Sequence, residues 1–129
     1  MLKLTYIETG FHLELLAKSL EEWIAMRVIL ALRVGECICV EPSTASFLLP
    51  ANLLGLDLLE AEVQQQGTDI IALSACDAEY VEVILKGTWL ASDLERAEGV
   101  FVAVLSHSSE FFLLKLWQEA QISASVVSE

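Results

Sequence analysis

The chain has 129 residues, 55% of them hydrophobic and 20% charged, with nineteen acids against seven Lys and Arg for a formal net charge of -12. So much Leu, Ile and Val excludes intrinsic disorder, and the lack of a basic cluster argues against nucleic acid and anionic membrane surfaces as partners. The length fits one compact domain, expected over residues 1–122, with 123–129 as a frayed tail.

Residues 2–8 alternate well enough for a strand, with Leu2, Leu4 and Tyr6 on one side and Lys3 and Thr5 on the other. Thr9 and Gly10 can turn the chain, and Phe11, Leu13 and Leu15 resume the alternation opposite His12 and Glu14. Together they read as an N-terminal hairpin. No signal-peptide pattern is seen at this end, because Lys3 is followed by alternating residues rather than an apolar run.

Ser19 opens the clearest element. Glu22 follows three positions later, the spacing of a capping box, and Glu21 and Glu22 lie at the positive end of the helix dipole. Gly35 offers a left-handed C-cap, with Arg33 as a cation in the last turn. Between these caps Trp23, Ile24, Met26, Val28, Ile29, Leu30, Leu32 and Val34 cover nearly the whole circumference. An ordinary surface helix keeps a polar face. This one is therefore expected to pack on a sheet with one side and on something else, such as a second subunit, with the other. At 23–34 the stretch is interrupted by Arg27 and Arg33 and is too short to span a bilayer, which needs about 20 residues.

Residues 36–41 predict a short strand ended by Pro42, with Cys37 and Cys39 on one face. Residues 43–49 are ambiguous, and Phe47-Leu48-Leu49 before Pro50 favours an extended form. A weak helix is expected over 52–66, ending in the polar run before Gly67. Then come a buried strand over 69–75, a turn at 76–78 and an alternating strand over 80–86 that Trp89 and Leu90 prolong. Ser92 with Glu95 offers a second capping box, residues 100–105 read as a central strand, and Ser108 or Ser109 can cap a final helix over 110–120.

This order predicts an α+β fold: a mixed or mainly antiparallel sheet of about five to seven strands with two principal helices packed on it. A doubly wound α/β sandwich is the runner-up.

Three cysteines cannot all pair within the chain, and reduced thiols in a cytoplasmic protein account for them most simply. Cys37 and Cys39 invite a metal hypothesis. Side chains two apart on a regular strand stand nearly 7 Å apart, a poor span for sulfurs that must each approach zinc at ~2.3 Å. Packed thiols explain them better, so no metal or other cofactor is expected. His107 is the stronger catalytic candidate, since it follows a central strand and precedes a helix start, and Cys76 is a chemically sensible thiol partner for it. The neighbouring serines are already explained as caps. His12 reads as a solvated strand residue. No Walker lysine pattern, dinucleotide fingerprint, nucleophile elbow or His-Glu-x-x-His motif occurs.

The leading reading is a noncatalytic protein–protein interaction or assembly module that self-associates, most simply as a homodimer, or meets another protein. Trp23, Arg27, Leu30 and Trp89 are its expected interface residues. The alternatives are a small enzyme or ligand-binding domain with a pocket near His107, and a metal-binding protein using Cys37 and Cys39.

Overall fold

A computed structural model describes residues 1–7, 10–67, 69–92 and 98–127, the side chains of residues 7 and 122–127 excepted. Three helices and a six-stranded antiparallel sheet make an α+β fold, as the order of elements predicts. The strands β1 (Leu2–Ile7), β2 (Gly10–Leu15), β3 (Ile38–Pro50), β4 (Ile71–Ala75), β5 (Tyr80–Ser92) and β6 (Gly99–Ala103) run in the order β2-β1-β6-β5-β3, with β4 also paired to β5. Contacts within the chain divide it into two compact units: residues 1–44 with 86–104, and residues 45–85 with 105–129.

In the first unit, β1 (Leu2–Ile7) and β2 (Gly10–Leu15) pair antiparallel with Leu4 opposite Leu13 and Tyr6 opposite Phe11. The predicted hairpin is therefore correct in pairing; its tip at Glu8 and Thr9 lies outside the described residues. β1 also pairs with β6 (Gly99–Ala103), which pairs with Thr88 to Ala91 of β5. The register sorts the side chains by face. Leu2, Leu4, Phe101 and Ala103 lie on one face, and Leu90, Val100 and Val102 lie on the other; all are buried. Burial on both faces explains why β6 shows an uninterrupted apolar run.

Helix α1 (Leu20–Arg33) covers the Leu90, Val100 and Val102 face through Trp23, with Leu20 and Ile24 beside it. Its ends follow the local chemistry. The Ser19 hydroxyl accepts from the Glu22 amide at 3.3 Å. At the other end the Glu36 amide donates to Ala31 O (2.8 Å) and the Gly35 amide to Leu32 O (3.3 Å). That is a Schellman closure, and it uses the left-handed φ of 77° at Gly35.

In the second unit, β4 (Ile71–Ala75) pairs with residues 81–85 of β5 (Tyr80–Ser92), placing Ile71 and Leu73 beside Leu85 and Val83. Asp77 makes the connection: its Oδ1 accepts from the amides of Glu79 (2.7 Å) and Tyr80 (2.9 Å), an Asx turn. α2 (Leu56–Gln66) and α3 (His107–Val127) pack together, burying Leu56 and Leu59 on the first and Leu113 and Leu116 on the second.

Several local expectations change. The strand expected to stop at Pro42 instead runs from Ile38 to Pro50 as β3, the last strand in the sheet order. Proline is tolerated in an edge strand, where its missing N–H interrupts no central ladder. The weak helix begins at Leu56 rather than Asn52, after Gly55 turns the chain at φ 92°. The final helix starts at His107, because the Ser106 hydroxyl accepts the Ser109 amide at 3.2 Å, and it continues to Val127. Ser109 is buried rather than acting as a cap. The capping box expected at Ser92 and Glu95 falls on a segment, 93–97, outside the described residues.

Candidate functional site

The predicted site residues are spread over different elements. Cys37 precedes β3 and is exposed; Cys39 lies within β3 and is half-buried. Cys76 is exposed at the turn after β4, where its amide donates to Tyr80 O at 3.1 Å. His107 is exposed at the first position of α3, and His12 is exposed on β2. Among the described residues, no three His, Cys, Asp or Glu side chains gather in a way that could hold a metal ion.

The four expected interface residues divide more sharply. Trp23 is only 7% exposed and belongs to the core of its unit. Arg27 stacks over it, the guanidinium carbon 5.5 Å from the ring centroid, while Lys3 approaches the same ring at 5.7 Å. These are cation–π contacts within the chain. Trp89 is half-buried, edge-on to Tyr6 at 5.4 Å. A Cβ on Gly99 would stand 2.6 Å from that indole, so the ring occupies the space the glycine leaves. Leu30, by contrast, is 52% exposed on the flank of α1.

Around Leu30 lies the feature that sequence reasoning sensed but did not place. Ala25, Met26, Val28, Ile29 and Leu32 are exposed as well, and Leu32 reaches 70%. Helical spacing puts Ala25, Met26, Ile29 and Leu32 on the side of α1 opposite Trp23 and Ala31. Arg27 falls on the inner flank beside Trp23. The outer face between residues 25 and 32 consequently carries no charge.

A concavity of about 250 Å³ also lies within the first unit, lined by Tyr6, Arg27, Glu36, Ile38 and Glu98 among others. It combines one guanidinium with two carboxylates and a phenol. Burial raises the Tyr6 pKa above its ordinary value by disfavouring the phenolate. His107 is not part of this lining.

Residues 1–121 match the Alr0857-like family. The chain belongs to that family. Membership covers both compact units almost completely, but it brings no activity, substrate or partner with it. No curated protein matches the chain, and no solved structure matches it. Among the described residues no helix is long and apolar enough to cross a membrane.

Proposed function

We propose that this protein is a noncatalytic assembly module that self-associates through the outer face of α1. The observation that carries the reading is the set of exposed apolar side chains Ala25, Met26, Ile29 and Leu32 opposite the anchored Trp23 face. A solvated helix ordinarily spends that face on polar residues. Leaving Met26, Ile29 and Leu32 in water costs free energy that a partner surface recovers, because apolar area removed from water contributes roughly 25 cal/mol per Å². Cys37, Cys39 and Cys76 form no disulfide, which supports a reducing, cytoplasmic setting. The net charge of -12 disfavours nucleic acid and anionic lipid as the partner.

Sedimentation equilibrium over a wide concentration range tests the proposal. The expected result is a concentration-dependent dimer that Ile29→Glu converts to monomer while the circular dichroism spectrum is retained. A wild-type chain that stays monomeric throughout would defeat it. A second reading, ligand binding, is favoured by the Arg27, Tyr6 and Glu36 concavity. It predicts chemical-shift changes at those residues on addition of a zwitterionic amino acid such as alanine.

A further inference from the structure

We infer that a second copy of this chain docks on α1 with the two helices antiparallel, placing Glu22 of each copy against Arg33 of the other. This rests on the self-association proposed above and adds its direction and register.

The argument begins with the composition of one stripe. Positions 22, 25, 26, 29 and 33 recur at three- and four-residue spacing, so they share the outward side of α1. The stripe reads Glu22, Ala25, Met26, Ile29, Arg33: an acid at the first end, apolar residues through the middle, a base at the last. Glu22 and Arg33 are both exposed, and among the described residues neither carboxylate nor guanidinium has an ion-pair partner. Lys18 stands near the acidic end with its Nζ 3.0 Å from Met26 Sδ. Against Glu21 and Glu22 it still leaves that end net negative. The helix dipole runs in the opposite sense, but its partial charges are already met by these caps.

A parallel pair would set Glu22 against Glu22 and Arg33 against Arg33. An antiparallel pair sets each acid against a base twice, as a twofold axis requires of an isologous contact. The midpoint between positions 22 and 33 then fixes the register. Met26 then meets Ile29 of the other copy, and the small Ala25 beside them leaves room for the helices to approach. No charged side chain lies on the outer face between the two ends, because Arg27 is held over Trp23. The contact area of one fourteen-residue helix falls short of the ~800 Å² per partner in a standard interface, so the dimer should be weak and reversible.

Charge exchange distinguishes the arrangements. Glu22→Arg alone and Arg33→Glu alone should each weaken dimerisation by roughly threefold to tenfold, the scale of two exposed ion pairs turned repulsive. The double variant Glu22→Arg/Arg33→Glu should restore the wild-type dissociation constant. In a parallel pair, all three variants would match the wild type, because like still faces like; that result overturns the antiparallel inference while leaving self-association intact. Loss of dimer in both single variants without recovery in the double also overturns it. A monomeric wild type defeats the underlying reading instead. Circular dichroism accompanies each variant, since Glu22 sits in the first helical turn. If Glu22→Arg frays that turn, Arg33→Glu alone still decides the direction: an antiparallel dimer weakens and a parallel one does not.

Discussion

Helices α1 and α2 are anchored alike and finished differently. Each has two buried positions, Trp23 and Ala31 on α1 and Leu56 and Leu59 on α2. On α2 the outward side chains include Asp57, Glu60, Gln64 and Gln65, with Leu58 as an exposed exception. On α1 the outward side chains between residues 25 and 32 are all apolar. Anchoring and solvation are thus separate properties of a helix. The first is met within the chain by both helices, whereas the second is met by α2 alone. That contrast is why the proposed assembly rests on α1 rather than on the apolar richness of the chain as a whole.

The sharpest way to break the contrast is truncation at equivalent distances from each anchor. Leu59 is completely buried, so Leu59→Ala should cost about 2–5 kcal/mol through lost transfer energy and the cavity left behind. Leu32 is 70% exposed, so Leu32→Ala should change unfolding free energy by no more than ~0.5 kcal/mol under dilute, monomeric conditions. Urea unfolding of both variants reads the difference directly. A comparable loss for the two would mean that the α1 outer face is already covered within the chain.

The helix starts also differ, and here the glycine should matter more than the serine. α2 has no side-chain cap; it begins after Gly55, held at φ 92°. A Cβ there would meet Leu116 only at an ordinary 3.8 Å, so the penalty of Gly55→Ala is backbone strain. It should amount to about 1–2 kcal/mol, the cost of a left-handed conformation for an L-residue. Ser19→Ala, which removes the oxygen that receives the Glu22 amide, should cost about 1 kcal/mol. Thermal unfolding of the two variants orders them, and the reverse order would show that the Ser19 cap contributes more than the left-handed glycine before α2.

Those two starts also show why some of this fold is readable in the residues and some is not. The α1 caps are local: Ser19, Glu22, Arg33 and Gly35 each act within one turn, and all occupy their expected places. At α3 the sequence offers Ser108 or Ser109 as the cap, yet it is the Ser106 hydroxyl that receives the Ser109 amide. Pro42 looks like a strand terminator until β3 proves to be last in the sheet order, a fact about partners far along the chain. The apolar circumference of α1 was equally plain, yet it does not reveal which side chains stay in water. Leu30 and Trp23 look alike as interface residues in one dimension. Packing against Leu90, Val100 and Val102 separates them. The chemistry expected of His107 and Cys76 depends on a meeting that no spacing rule encodes, since they belong to different elements.

The smallest effect probes the boundary between the two faces of α1. Arg27 is exposed, yet its guanidinium stacks over the buried Trp23 ring at 5.5 Å. Stacking of this kind contributes about 0.5–1 kcal/mol at an exposed site. Arg27→Ala should therefore lower unfolding free energy by that amount and shift the fluorescence of a tryptophan whose surroundings have changed. Arg27→Met, which keeps much of the aliphatic bulk without the charge, should recover part of the packing but not the electrostatic component. Neither change should alter the dimer dissociation constant by more than about twofold, because the side chain is committed inward. A large loss of dimer from Arg27→Ala with little loss of stability would move the seam toward the Trp23 flank and bring the Glu36 concavity into the contact. A stability loss with an unchanged dissociation constant keeps the assembly face where Ile29 and Leu32 are most exposed, and keeps Arg27 as part of the anchor.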